Sequence, residues 1–220
     1  MTAGYDETLA YLHTDYLTLD ELAKRSGVDT DRIERLIEAG CLPPHSHEAT
    51  LDVTVATRIL GSHQAETKRI RYYHPSLVAM TKDADREAAE KGIEAAAADR
   101  RNRFDGEIAR TAGLEPGSPA LAELTAFAWE HWRAGTFGVC LKEIAPGNMI
   151  QKLSATEKMQ ALLDRAKSAP LGAGDLAELK EATQQYEEVA GPFGPHEVED
   201  STRARVYGPA MRLLAETYEN

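Results

Sequence analysis

Residues Leu17 to Pro44 read LTLDELAKRSGVDTDRIERLIEAGCLPP, and this stretch decides the fold. Thr18-Leu19-Asp20-Glu21 is a capping box: the Thr18 hydroxyl can accept from the first free helix amides while Glu21 reaches back to the Thr18 amide. Leu19, Leu22 and Ala23 supply an apolar stripe and Gly27 a stop. Asp29 or Thr30 opens a second helix, in which Ile33, Leu36 and Ile37 repeat at helical spacing, and Gly40 closes it. Leu42-Pro43-Pro44 then breaks the chain. A helix, a Ser-Gly-Val turn and a helix make a helix-turn-helix pattern.

Outward from there, Thr50 to Ile59 is β-branched and partly alternating, which fits a strand of a small wing or the start of a helix through Ala56 to Leu60. Tyr72-Tyr73-His74 is extended by the proline that follows, Pro75. From Ser76 onward the pattern is helical. Lys82 to Thr111 reads as one long Ala-, Glu- and Arg-rich helix interrupted only by Gly92 and Gly106. Ser118-Pro119 caps a helix that should bury Leu121, Leu124, Phe127 or Ala128, and Trp132, and stop at Gly135. Pro146 opens another, Asp175 to Ala190 forms a further one, and Ser201 caps a last helix to Tyr218 disturbed by Gly208-Pro209. The expected fold is therefore all-α: a helix-turn-helix or winged-helix-like module over residues 1–75, packed on a helical bundle over 76–220.

Composition narrows the function classes. The 220 residues carry 25 Lys plus Arg against 36 Asp plus Glu, a formal charge of −11. An acidic chain is a poor general binder of nucleic acid. The expected second helix carries Asp29, Asp31, Glu34 and Glu38 against Arg32 and Arg35, a net of −2 where phosphates would have to approach. Cys41 and Cys140, about a hundred residues apart, exclude a disulfide scaffold and a four-cysteine zinc site. The opening residues do not read as a signal peptide, and no apolar run reaches the roughly 20 residues of a membrane span. A cytoplasmic location and no membrane partner are the expectation. No phosphate-binding loop, dinucleotide fingerprint, nucleophile elbow or zinc-protease motif occurs.

The chemistry-bearing residues are scattered. Cys140, in Gly135-Thr-Phe-Gly-Val-Cys-Leu, becomes a nucleophile only with a base beside it, and His131 on the preceding helix is the candidate. Packed between Val139 and Leu141 it is otherwise a small hydrophobe. Trp132 beside His131 and Arg133 can floor a ligand pocket or simply fill the core. Arg203 and Arg205 after Ser201 can receive an anion at a helix start, or pair with Glu199 or Asp200. His45 and His47, followed by Glu48, offer a metal two imidazoles and a carboxylate. A His-x-His loop holds nothing without a third converging ligand, and the sequence spacing supplies none; the expected metal set is none, and no cofactor is indicated.

Several segments, in matching order, resemble a poorly characterised family of natural-product biosynthesis proteins built around a domain of unknown function. They are Tyr16-Leu-Thr-Leu-Asp-Glu-Leu-Ala, Leu42-Pro-Pro, Tyr72-Tyr-His-Pro, His131-Trp-Arg-Ala-Gly-Thr-Phe-Gly-Val-Cys-Leu, Ala145-Pro-Gly-Asn-Met-Ile-Gln-Lys, and Gly191-Pro-Phe-Gly-Pro-His near Ser201-Thr-Arg. The family's Thr-Pro-Glu is replaced here by Ala145-Pro146-Gly147, so nothing is carried over for that glutamate. The N-terminal helix pair separately resembles a MerR-like module. The first resemblance implies secondary metabolism and a small-molecule metabolite, polar and anionic, as partner. The resemblance supplies no catalytic residue; with that context and the residue types together, Cys140 and His131 are the candidate catalytic pair, with Tyr73, His74, Trp132 and Arg203 lining one substrate pocket where the two parts meet. A transcriptional regulator and a non-catalytic interaction module are the alternatives. A homodimer along Lys82 to Thr111 would have a mostly alanine seam, too thin to encode a large coiled coil.

Overall fold

The computed structural model describes residues 4–52, 54–59, 61–64 and 67–218. The capping box forms as the sequence dictates. Helix α2 (Leu19–Ser26) starts with the Glu21 amide donating to Thr18 Oγ1 and the Thr18 amide donating to Glu21 Oε2, and it ends on Gly27 in the left-handed region. Helix α3 (Thr30–Glu38) is capped by Asp29, whose carboxylate accepts from the Arg32 amide. Helix α1 (Tyr5–Asp15) precedes them, followed by the two-residue strand β1 (Leu17–Thr18).

The chain is mostly helical, but it is not all-α. The β-branched and aromatic segments around Tyr72 pair into a sheet of order β1-β5-β2, in which β5 (Lys68–Tyr73) runs antiparallel to both β1 and β2 (His47–Leu51). Strands β3 (Thr54–Thr57) and β4 (Gly61–Gln64) form a separate hairpin, which overturns the helical alternative for Ala56 onward. Pro43-Pro44 stops α3 from continuing into this region.

The expected long helix is two. Helix α4 (Leu77–Lys91) stops at Gly92, whose φ of 88° no helix accommodates, and α5 (Ile93–Ala112) restarts at once and folds back beside it. Helix α6 (Pro119–Arg133) is capped by Ser118 and buries Thr125, Ala128 and Trp132; Phe127 is 46 % exposed, so the inward position is Ala128. After Gly135 comes the single turn α7 (Phe137–Cys140), then α8 (Pro146–Ala166) and α9 (Ala173–Val189), packed along each other. A 3₁₀ turn (Val198–Asp200) and a π-helical turn (Arg203–Tyr207) lead into α10 (Gly208–Tyr218), so the disturbance expected at Gly208-Pro209 falls just before it.

One buried apolar cluster runs from Leu17, Leu22, Ile33 and Leu36 through Tyr73, Phe104 and Trp132 to Ile150, so residues on both sides of position 75 share it. A second, around Met159, Leu179, Tyr186 and Leu214, joins α8, α9 and α10. No described helix is long and apolar enough to cross a membrane.

Candidate functional site

Helix α6, the α7 turn and the first half of α8 enclose an apolar cavity of about 280 Å³. His131 from α6 and Cys140 from α7 both line it, together with Phe137, Ile150, Lys152 and Thr202. Local sequence explains the placement. Gly135, at φ 72°, turns the chain out of α6, and six residues later Leu141 bridges to Ala190, which pins Cys140 at the rim. The two expected catalytic residues thus share one wall. His131 packs against Phe127 and Phe137, with ring centroids 4.3 and 5.7 Å away. Among the described residues no hydrogen bond joins it to the Cys140 thiol.

Lys152 is the polar group the sequence reading passed over. It lies three residues after Met149 and three before Ala155, on the buried stripe of α8, and is only 8 % exposed. Its Nζ donates to the Cys140 carbonyl at 3.0 Å and sits 5.1 Å from the Phe193 ring and 5.7 Å from the Tyr186 ring. Among the described residues no carboxylate lies within ion-pairing distance of it. An ammonium has three protons to donate, and one is placed. A lysine on an apolar stripe was the readable signal.

The other expected substrate residues do not converge there. Tyr73 is buried beneath the sheet, its ring 6.1 Å from that of His45. Trp132 is core: it packs edge-on against Phe104 and parallel to Trp129, with its Nε1 buried and unpaired. Arg203 donates to Glu187 at 2.9 Å and lies over the Tyr207 ring, and Arg205 pairs with Asp200; Ser201 accepts from the Ala204 amide. That helix start is an ordinary cap with its arginines engaged, although Arg203 takes Glu187 rather than its sequence neighbours. Cys41 is buried, its thiol pushed above the ordinary range mainly by that burial.

His74 lines a second, wider cleft of about 550 Å³ with Tyr16, Ser76 and Lys142. The Ser76 amide donates to His74 Nδ1 at 3.2 Å, which leaves the ring proton of the neutral form on Nε2, facing the Leu141 backbone. Burial pushes this imidazole below its usual range, and the Leu141 backbone pulls the other way.

A third cluster is assembled from residues far apart in sequence. His47, the first residue of β2, meets His196 and Glu197 from the turn before the 3₁₀ segment. His47 Nδ1 is 3.5 Å and His196 Nε2 3.6 Å from the same oxygen, Glu197 Oε1. Glu197 Oε2 accepts from the Gly194 amide at 3.3 Å. The Tyr16 ring stands edge-on to His47 at 4.5 Å, and Tyr11 contacts both imidazoles. Tyr16 donates to the Gly138 carbonyl and accepts from Tyr11, which holds these rings in place. Burial, then His196 and His45, push His47 down to about 4, so the ring is neutral; burial also raises Glu197, opposed by His196. His45 and Glu48, the sequence neighbours that could have offered a metal further ligands beside His47, are not part of this group. No local spacing announces a ligand set whose members are about 150 residues apart.

Set beside known proteins, residues 86–208 match DUF6058, a family of unknown function. That segment is more than half of the chain, and the chain belongs to this family. No curated protein and no solved structure matches it.

Proposed function

We propose that this DUF6058 member binds a small, largely apolar metabolite carrying one anionic group in the α6–α7–α8 cavity, and serves natural-product biosynthesis as an enzyme or accessory protein there. The observation that carries the reading is Lys152. Burying an ammonium costs several kcal/mol unless an opposite charge or full hydrogen bonding compensates it. Here one carbonyl and two aromatic faces answer it, and the cavity it lines is otherwise almost wholly apolar. A carboxylate or phosphate on an incoming ligand supplies the missing partner, while the Phe137 and Ile150 walls take the ligand body. Thr202, whose Oγ1 is hydrogen-bonded to the Tyr186 hydroxyl at 2.8 Å, gives the cavity a second polar point. The biosynthetic context rests on the sequence resemblance. The regulator alternative gains nothing from α3, since Arg32 is paired with Asp85 at 2.8 Å and Arg35 turns back onto the Asp31 carbonyl.

Cys140 reports on occupancy. It lines the cavity and is partly exposed, whereas Cys41 is buried. Alkylation of Cys140 by iodoacetamide, followed by mass spectrometry, should slow in the presence of octanoate or 3-phenylpropanoate and not with the corresponding alcohols. Lys152→Met should abolish the difference between acid and alcohol. Equal protection by acids and alcohols in the wild type would leave Lys152 no role in recognition and end the proposal.

A further inference from the structure

We infer that His47, His196 and Glu197 form a binding site for a divalent transition-metal ion, zinc being the best fit. The three donor atoms lie within 4.8 Å of one another. In a tetrahedral zinc site with bonds of about 2.0–2.2 Å, donor atoms are roughly 3.4 Å apart. The two separations from Glu197 Oε1, 3.5 and 3.6 Å, are already close to that edge length. Two imidazoles and one carboxylate are a recurring set for zinc and for non-haem iron.

Three further features favour a ligand role over an ordinary buried cluster. First, the His47 side chain is 8 % exposed, and its Nδ1, the nitrogen that faces Glu197, stands 3.5 Å from Oε1, longer than a good hydrogen bond, so the atom that would bind the ion has no close partner. Buried ring nitrogens are normally satisfied. Second, no lysine or arginine among the described residues pairs with Glu197; its Oε1 faces only the two imidazoles. Third, the site is shaped by Gly194. A Cβ there would lie 2.6 Å from the Tyr11 ring and 2.8 Å from the His196 ring, so any other residue at 194 would displace these rings from the His196-Glu197 turn. His196 keeps 35 % of its side chain in solvent, which leaves room for water at a fourth position. That is the open geometry of an exchangeable site, not the closed shell of a structural one. A bound ion also ties β2 to a turn about 150 residues later.

The test uses untagged full-length protein stripped with a chelator and dialysed. Zinc chloride is titrated calorimetrically, and cobalt chloride is followed by its visible absorption. One equivalent per chain is expected, with the visible bands of a low-coordinate cobalt site. His47→Ala and Glu197→Gln should each weaken zinc binding by more than the roughly 10–100-fold that loss of an outer-sphere partner costs. His13→Ala, a histidine outside the cluster, should not. Circular dichroism of the stripped variants verifies that they fold. X-ray absorption on the wild-type zinc complex is independent of any variant: nitrogen and oxygen ligands with two imidazoles are expected. A sulfur ligand, binding unchanged in both variants, or no binding at all would overturn the site. None of these readouts involves Cys140 labelling, so this inference and the cavity proposal stand or fall separately.

Discussion

Replacing Lys152 by methionine separates a functional lysine from a structural one. Taking the ammonium out of water costs several kcal/mol. The native structure returns one hydrogen bond from a charged donor, to the Cys140 carbonyl, about 1.5–3 kcal/mol. Two aromatic faces, at 5.1 and 5.7 Å, add about 0.5–2 kcal/mol each. The two sides are of the same size, so the charge contributes little net stability. Methionine keeps the unbranched stem that packs on α8, and the Cys140 carbonyl still accepts from the Gly191 amide at 3.0 Å, so no acceptor is orphaned. Lys152→Met should therefore change the free energy of unfolding in urea by no more than about 1.5 kcal/mol in either direction, the range of volume-conserving swaps. Lys152→Ala empties the stem's space and should cost about 2–5 kcal/mol, as large-to-small substitutions do. Urea titrations followed by circular dichroism measure both. A loss above about 3 kcal/mol for the methionine variant would show that the ammonium is a strut of the native fold, and the argument that it awaits a ligand would fail.

Two further outcomes follow from the close approaches around the α7 turn. Gly135→Ala puts a methyl group onto the His45 carbonyl oxygen and within 3.2 Å of the Pro44 carbonyl, at a backbone angle that alone costs an L-residue about 1–2 kcal/mol; with the added overpacking of about 1–3 kcal/mol, a total loss of about 2–5 kcal/mol in urea is expected, and a loss under about 0.5 kcal/mol would refute the close packing. His74 gives a pH signature: its folded-state affinity for protons is depressed, so the unfolded chain takes up the proton first, and its stabilising share is complete above the ordinary imidazole value of about 6.5 and lost as pH falls below it. The fall in unfolding free energy from about pH 7.5 to 5.5 should be smaller in His74→Gln than in the wild type, because only the difference between the two isolates this ring; identical slopes would mean that His74 is not held neutral.

What was legible in the sequence is what is local. The Thr18–Glu21 box, the Gly27 stop and the Ser118-Pro119 start are settled within a turn of chain, and each forms as written. Gly92 was misread because glycine inside an alanine-rich helix costs only about 1 kcal/mol, too little to compel a break; the break comes from α5 folding back on α4, a tertiary choice. The sequence offers Thr50 to Ile59 as a strand or a helix start and the residues before Pro75 as extended, but not how they pair, because β1 has two residues and β2 and β5 are half exposed, so their alternation is weak. In the cavity, Cys140 and His131 were found by residue type, and Lys152 could have been found by its place on the Met149–Met159 stripe. Tyr73, Trp132 and Arg203 were grouped with them by type alone, and packing or ion pairing claims each of them elsewhere. His196 and Glu197 carried no signal, because what makes them partners of His47 is a chain reversal that no spacing rule encodes.

That reversal explains why glycine stands at positions 135 and 138. The outer face of the segment Gly135 to Cys140 meets the loop that leads to His47: a Cβ at Gly138 would overlap the Ser46 hydroxyl and lie 3.2 Å from His74 Cβ. The Gly138 carbonyl then receives the Tyr16 hydroxyl that braces His47. Two residues on, the Cys140 carbonyl receives Lys152 and the Gly191 amide, and a Cβ on Gly191 would sit 2.7 Å from the Leu141 carbonyl. One stretch of backbone thus faces the imidazole cluster with one carbonyl and the ammonium of the cavity with another. The glycines at 135, 138 and 191 are what allow the two candidate groups of side chains to share a single strip of main chain.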